Sequence, residues 1–87
     1  MEQNEELQEQ ILQVVENQLD AGDPPETQET LDRLKNQGYS ENDAKKLIGM
    51  CVGNELYDML QNQEKFNQER FIKNLKNLPT PPYETQE

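Results

Sequence analysis

The apolar residues of this 87-residue chain are scarce, but they recur at the spacing of α-helices. Hydrophobic side chains make up 31% of the residues and the formal net charge is −10, a composition that by itself favours disorder. The regular placement argues otherwise, because residues three and four apart share one side of a helix and can bury it together. A chain this short forms one domain and buries only about 60% of its unfolded surface. We therefore expect a small all-α domain, since no alternating β-branched run indicates a strand.

Residues that begin and end helices divide the chain into four helical segments. Gly22 is suited to end the first segment, and Asp23 and Pro24 are suited to cap and open the second. Gly38 ends the second segment, and Ser40 caps the third. The expected helices are about 5–21, 24–37, 41–62 and 68–78. They form a compact four-helix domain over residues 1–78, and residues 79–87 form a flexible, Pro-rich acidic tail with nothing to bury.

Each segment carries an apolar stripe that is expected to face the core. Asn67 caps the fourth helix, and Phe66 and Phe71 on either side of it occupy the positions of a hydrophobic staple. The stripes comprise Leu7, Ile11, Leu12, Val14, Val15 and Leu19; Leu31 and Leu34 beside Thr27 and Thr30; Ala44, Leu47, Ile48, Cys51, Val52, Leu56, Met59 and Leu60; and Phe71, Ile72, Leu75 and Leu78.

Two glycines in the third segment permit either a close helix contact or a break in the helix. Gly49 and Gly53 each cost about 1 kcal/mol of helix propensity relative to alanine. We expect an unbroken helix, because Cys51 and Val52 continue the apolar stripe without a turn signal.

Side chains that usually carry chemistry are nearly absent. The chain has no His, which removes the commonest metal ligand and general base, and its single Cys51 excludes an intrachain disulfide. Cys51 is expected to be a small buried side chain, and Glu55 is expected to pair with a Lys or Arg at the edge of the core. The carboxylates of Glu16 and Asp20, one helical turn apart, are interpreted as a solvated surface. We expect no enzyme activity, no cofactor and no metal site.

Charge is distributed unevenly along the chain. Ten acidic residues precede the first basic residue, Arg33, whereas the fourth segment is mainly basic. One interpretation is that the first and last helices lie side by side and neutralise each other. The other is an acidic face that binds a basic surface on a partner protein. Nucleic acid is not an expected partner, because phosphate binding requires clustered Lys and Arg.

The candidate interaction face consists of acidic residues from the first two helices together with two tyrosines. Its members are Glu9, Glu16, Glu29, Tyr39 and Tyr57. No membrane association is expected, because the longest mostly apolar run, 47–53, is far shorter than the roughly 20 residues that span a bilayer. The acidic N-terminal residues do not resemble a signal peptide, so a cytoplasmic location is expected. The partner's identity and the oligomeric state stay open.

Many of these residues also belong to a longer pattern that covers nearly the whole chain before the tail. The pattern consists of Val14-Val15-Glu16-Asn17-Gln18-Leu19, Gly22-Asp23-Pro24-Pro25-Glu26-Thr27, Thr30-Leu31-x-Arg33-Leu34-x-x-x-Gly38-Tyr39-Ser40, Ala44, Leu47-Ile48, Glu55-Leu56 and Phe66…Arg70-Phe71…Leu75-x-x-Leu78. It resembles a family of small bacterial helical proteins of unknown function. That resemblance implies a bacterial, cytoplasmic, all-helical module that is sometimes found within longer chains. Relatives often carry histidines in the first and third helices, and this chain has none, so no metal or catalytic role carries over.

A second pattern consists of Leu31-x-x-Leu34…Gly38-Tyr39-Ser40…Ala44-x-x-Leu47-Ile48…Gly53-Asn54…Leu60. It is similar to the pattern of ubiquitin-associated domains. The similarity implies three helices, a break near Gly49–Gly53 and a peptide-binding role for the Gly38–Tyr39 loop. The leading hypothesis is a non-enzymatic protein–protein interaction or regulatory module. The alternative is a three-helix peptide-binding module of the ubiquitin-associated type.

Overall fold

The structure is a computed structural model that describes residues 2–82, with side chains from residue 6 onward. Within that range the chain forms four α-helices and no β-strand, which confirms the predicted all-α fold. Their bounds lie within a few residues of the predicted ones. The helices are α1 (Glu2–Ala21), α2 (Pro25–Asn36), α3 (Glu41–Asn62) and α4 (Gln68–Asn77).

The two middle helices hold the domain together. α2 and α3 contact each other, and both contact α1 and α4, whereas α1 and α4 make no contact with each other in the described residues. The interpretation that the first and last helices neutralise each other is therefore wrong. Instead, Lys45 of α3 binds the α1 carboxylate of Glu16, with 2.6 Å between Nζ and Oε2, and Nζ lies 3.0 Å from Oε2 of Glu41.

The core draws apolar side chains from all four helices, but the helices contribute unequally. Of the described residues of α1, only Val15 is fully buried. Ile11, Val14 and Leu19 pack against the core from its edge. The buried apolar residues are Val15, Leu31, Leu34, Ala44, Ile48, Cys51, Val52, Phe71, Leu75 and Leu78. Thr27 and Thr30 are buried beside them, as predicted.

The predicted apolar stripes are wrong at two positions. Leu7 is 51% exposed and Leu60 is 82% exposed. Leu60 lies twelve residues after the buried Ile48, so it is rotated by roughly 120° around α3 and leaves the core side. Leu7 lies in the first half of α1, whereas α2 meets α1 near Gln18, whose side chain accepts a 3.0 Å hydrogen bond from Thr27.

Glycines end α1 and α2, as predicted. The φ angle is +66° at Gly22 and +106° at Gly38, values that glycine adopts without steric cost. At the end of α1, the N–H of Gly22 donates to the carbonyl of Leu19, and the N–H of Asp23 donates to the carbonyl of Gln18. This pair of bonds is the Schellman motif, and the same pattern closes α2 around Gly38.

The start of α2 differs from the prediction that Asp23 caps the helix and Pro24 opens it. The cap residue is Pro24, Pro25 is the first helical residue, and no side chain donates or accepts a capping hydrogen bond. The backbone N–H of Asp23 closes the end of α1, and Pro25 has no N–H that the Asp23 side chain could accept. The second helix therefore begins one residue later.

The caps of α3 and α4 are confirmed. The side-chain oxygens of Ser40 and Asn67 each accept a hydrogen bond from the backbone N–H three residues later, at 3.1 and 3.0 Å. The ring centroids of Phe66 and Phe71 lie 5.2 Å apart in an edge-on arrangement, which places both members of the predicted staple in contact.

α3 continues through both of its glycines, which confirms the prediction of an unbroken helix. A Cβ atom at Gly49 would lie 3.1 Å from Cγ2 of Ile11, and one at Gly53 would lie 3.3 Å from Cδ1 of the same residue. These glycines therefore let α1 approach the backbone of α3 closely. The break implied by the ubiquitin-associated pattern does not occur.

A buried carboxylate links α3 to α4. Glu55 is fully buried, and Arg70 donates to it from Nε at 2.6 Å and from Nη2 at 3.0 Å. The backbone N–H of Asn67 also donates to Oε1 of Glu55, at 3.1 Å. The hydrogen bonds to Glu55 raise the pKa of Arg70. The prediction that Glu55 pairs with a basic residue at the edge of the core is confirmed.

α2 holds the other end of α4. The guanidinium of Arg33 donates to the backbone carbonyls of Leu75 and Leu78, both at 2.9 Å, and so satisfies acceptors that the end of a helix leaves free. Beyond this point Pro82 is buried, so the prediction that the tail buries nothing is wrong at that residue. Residues 83–87 of the predicted tail lie outside the described residues.

We expect Asp23→Ala to change the free energy of unfolding by less than about 0.5 kcal/mol, because its side chain caps no helix. Ser40→Ala and Asn67→Ala should each cost about 1 kcal/mol, because each removes an acceptor for a helical N–H. Urea unfolding of the three variants measures the difference. If Asp23→Ala lowered the free energy of unfolding as much as the other two variants, its side chain would be shown to cap α2.

Arg70→Met should cost about 3–5 kcal/mol, because it leaves the Glu55 carboxylate buried without its cation. The matched control is Lys73→Met, an exposed position on the same helix, which should stay within about 0.5 kcal/mol of the parent chain. Urea unfolding compares the two. Equal urea midpoints for Arg70→Met and Lys73→Met would contradict the structural role of the Glu55–Arg70 pair.

Candidate functional site

The buried and paired carboxylates serve the fold. Glu55 and Asp58 both bind Arg70, and Glu16 is held by Lys45. Neither Glu55 with Asp58 nor Glu16 with Asp20 therefore presents two free carboxylates to a substrate. In residues 2–82, no group of three or more His, Cys, Asp or Glu side chains has an arrangement that could hold a metal ion.

Cys51 is a fully buried core residue, as predicted. Burial raises the pKa of its thiol to about 12, and the negative charge of Glu55 adds to the shift. A nucleophilic cysteine requires the thiolate, which an electropositive and accessible setting favours. The surroundings of Cys51 have the opposite character, so it packs as a small apolar side chain.

An open groove of about 600 Å³ lies between α1 and α3. Ile11 and Leu12 form its α1 wall, and Leu47 and Met50 form its α3 wall. All four side chains are half-buried, so apolar surface faces the groove. The remaining lining residues are Gln8, Tyr39, Asp43, Lys46, Gly49 and Gly53.

The α3 wall continues beyond the groove as a line of residues that we call the outer stripe: Met50, Gly53, Tyr57 and Leu60. Their spacing of three, four and three residues places them on one side of the helix. Tyr57 is 62% exposed and Leu60 is 82% exposed. At 1.5 Å per residue, the stripe covers about 15 Å of α3. It leaves large apolar side chains in solvent next to an apolar groove.

Acidic residues border the α1 wall. Glu9 lies three residues before Leu12 and Glu16 lies four residues after it, so both flank Leu12 on the same side of the helix. Lys45 neutralises Glu16, whereas Glu9 is exposed and makes no ion pair with any described residue. The groove therefore has an apolar lining and an acidic border on α1.

The structure brings together four of the five residues of the predicted interaction face. Tyr39 lines the groove, Tyr57 lies on the outer stripe, and Glu9 and Glu16 border the α1 wall. Glu29 lies elsewhere, in a smaller pocket of about 210 Å³ that is also lined by Lys76 of α4. Binding by these residues stays a prediction.

Sequence reasoning missed the outer stripe. It assigned Leu60 to the core and left Met50 unassigned, although the three-and-four-residue spacing of Met50, Gly53, Tyr57 and Leu60 is visible in the sequence. That spacing alone does not show which side of the helix is covered by the rest of the fold. The exposure of Tyr57 and Leu60 in the structure shows that this side of α3 is uncovered.

Comparisons with known proteins identify no relative of this chain. No protein-family model matches the chain, and no curated protein and no solved structure matches it significantly. The resemblances described above therefore stay predictions. In residues 2–82 no helix is both long and apolar enough to cross a membrane.

Cys51 should react far more slowly in the folded chain than in the unfolded one. With a pKa of about 12 rather than 9.0, the thiolate fraction at pH 8 falls from about 0.1 to about 10⁻⁴, and burial further blocks access. Mass spectrometry after treatment with iodoacetamide, with and without denaturant, measures both rates. Comparable rates in the folded and unfolded chain would make Cys51 a candidate nucleophile.

Proposed function

We propose that the chain is a non-enzymatic protein–protein interaction module that binds its partner through the groove between α1 and α3. The observation that carries this proposal is the outer stripe, whose Tyr57 and Leu60 are exposed beside the half-buried apolar walls of the groove. Contiguous exposed apolar patches larger than a few hundred Å² often mark interaction sites on folded monomers. Tyrosine is also among the side chains enriched at interfaces.

Enzymatic catalysis is the weaker hypothesis. The groups best suited to acid–base or nucleophilic chemistry, Glu55 and Cys51, are buried, and Glu55 is already bound by Arg70. A bacterial cytoplasm is the setting that we propose. It is supported by the resemblance to the small bacterial family and by the single cysteine of the chain.

A second candidate is peptide binding centred on the Gly38–Tyr39 loop, as in ubiquitin-associated domains. The presence of Tyr39 in the lining of the groove favours it. The two candidates differ in which residues a partner needs. Binding centred on the loop depends on Tyr39, whereas binding along the groove also depends on Met50 and Tyr57.

The test compares proteins captured from the source cells by the parent chain and by two variants. Met50→Glu places a charge in the apolar wall of the groove and should abolish capture of the partner. The control, Asn17→Glu, places the same charge at an exposed residue of α1 that lies more than about 100° around the helix from both Ile11 and Leu12. Circular dichroism confirms that both variants keep their helices.

A protein retained by the parent chain and by Asn17→Glu, but lost from Met50→Glu, supports the proposal. If every captured protein is retained equally by all three chains, the groove is not the binding surface. Loss on Tyr39→Ala without loss on Tyr57→Ala would favour the loop-centred alternative.

A further inference from the structure

On the basis of the proposed function, we infer that the occupant of the groove is a cationic amphipathic α-helix of a partner protein, lying along the outer stripe. Its apolar side would contact the outer stripe and the walls of the groove, and its Lys and Arg side chains would face the acids of α1. This inference names the shape and the charge of the partner.

The spacing of the outer stripe argues for a helical partner. Met50, Gly53, Tyr57 and Leu60 repeat at three-and-four-residue intervals, which is the pattern of a seam between two helices. An amphipathic helix in a groove presents anchors at matching intervals. Gly53 is approached by Ile11 of α1, so the side chains of the stripe that are open to a partner are Met50 at one end and Tyr57 and Leu60 at the other.

The distribution of charge argues for a cationic partner. α1 carries six acidic residues and no basic residue, and the whole chain has a net charge of −10. Glu9 beside the groove has no ion-pair partner among the described residues, and Asp43 lines the groove itself. Lys46 is the only basic residue in the described lining. Glu9 and Asp43, together with the net negative charge of the chain, attract and orient a basic helix.

The same charges argue against a second copy of this chain as the occupant. In a symmetric dimer each surface meets its own copy, so the acids of the two α1 helices would be brought towards each other. Like charges placed in this way oppose association. An amphipathic helix of opposite charge meets no such cost.

The test uses the full chain and three synthetic peptides of about 18 residues. The first is a Leu/Lys helix with leucines at three-and-four-residue spacing. The second replaces every lysine by glutamate, and the third scrambles the first peptide so that its leucines no longer share one side. Isothermal titration gives the affinities, and amide chemical shifts of the ¹⁵N-labelled chain locate the site.

We expect the Leu/Lys helix to bind at least about tenfold more tightly than either other peptide, and to shift amides of 46–60 in α3 and of 8–12 in α1. Tyr57→Ala and Leu60→Ala should each weaken binding by about tenfold. Asn17→Ala changes an exposed residue about 120° around α1 from Ile11 and about 140° from Leu12, so it should leave binding unchanged.

A pair of charge variants tests the location of the attraction. Glu9→Lys should weaken binding about fivefold at low salt, and the difference should shrink above about 0.3 M salt, where screening is strong. Glu29→Lys makes the same change in net charge, but Glu29 lies in a different pocket, so it should have a smaller effect. Equal effects of the two variants would overturn the assignment of the charge to the groove.

The outcomes separate this inference from the proposed function. If the Leu/Lys and Leu/Glu helices bind equally and both depend on Tyr57 and Leu60, the groove binds helices but the inferred charge is wrong. If no peptide shifts the groove amides while Met50→Glu still loses a captured protein, the helical occupant is wrong and the interaction site stands. A dimer in sedimentation experiments that Leu60→Ala dissociates would make a second copy the occupant and overturn the inference.

Discussion

The charge pair between Glu55 and Arg70 holds together a domain with little apolar surface to bury. α4 has ten residues, and a helix of that length is marginal on its own in water. It is fixed at both ends by charged side chains of other helices: Glu55 receives the N–H of Asn67 at its start, and Arg33 binds two carbonyls at its end. Phe71 and Leu75 can then stay buried between these two attachments.

A second set of charges connects α1 to α3. The hydrogen bonds from Lys45 and Lys35 lower the pKa of Glu41, and those to Glu16 and Glu41 raise the pKa of Lys45. The stabilising effect on Glu41 is present above its ordinary pKa of 4.5 and is lost as the pH falls through the lowered value. The effect on Lys45 is present below 10.5 and is lost as the pH rises through the raised value. This link is therefore intact at neutral pH.

Local chemistry predicted the helix ends well, because capping involves residues only a few positions apart. Gly22, Gly38, Ser40 and Asn67 all act as the sequence indicates. The predicted cap at Asp23 is wrong: its backbone N–H closes α1, and Pro25 has no N–H that its side chain could accept.

Long-range contacts were harder to predict from one sequence. The bonds from Arg33 to the end of α4 join residues more than forty positions apart, and nothing near Arg33 in the sequence indicates them. The groove was missed for a related reason. Apolar periodicity shows that Met50 and Leu60 could lie on one side of a helix, but only the packing of α1, α2 and α4 decides whether that side is covered.

The two glycines of α3 act as a spacer for the groove. Side-chain atoms of Ile11 lie 3.1 and 3.3 Å from where a Cβ would stand at Gly49 and Gly53, so the absence of side chains there lets α1 pack closely on α3. Alanine at either position would require Ile11 to move by a few tenths of an ångström. The separation of the two walls of the groove thus depends on two positions of α3 that contribute no side chain to it.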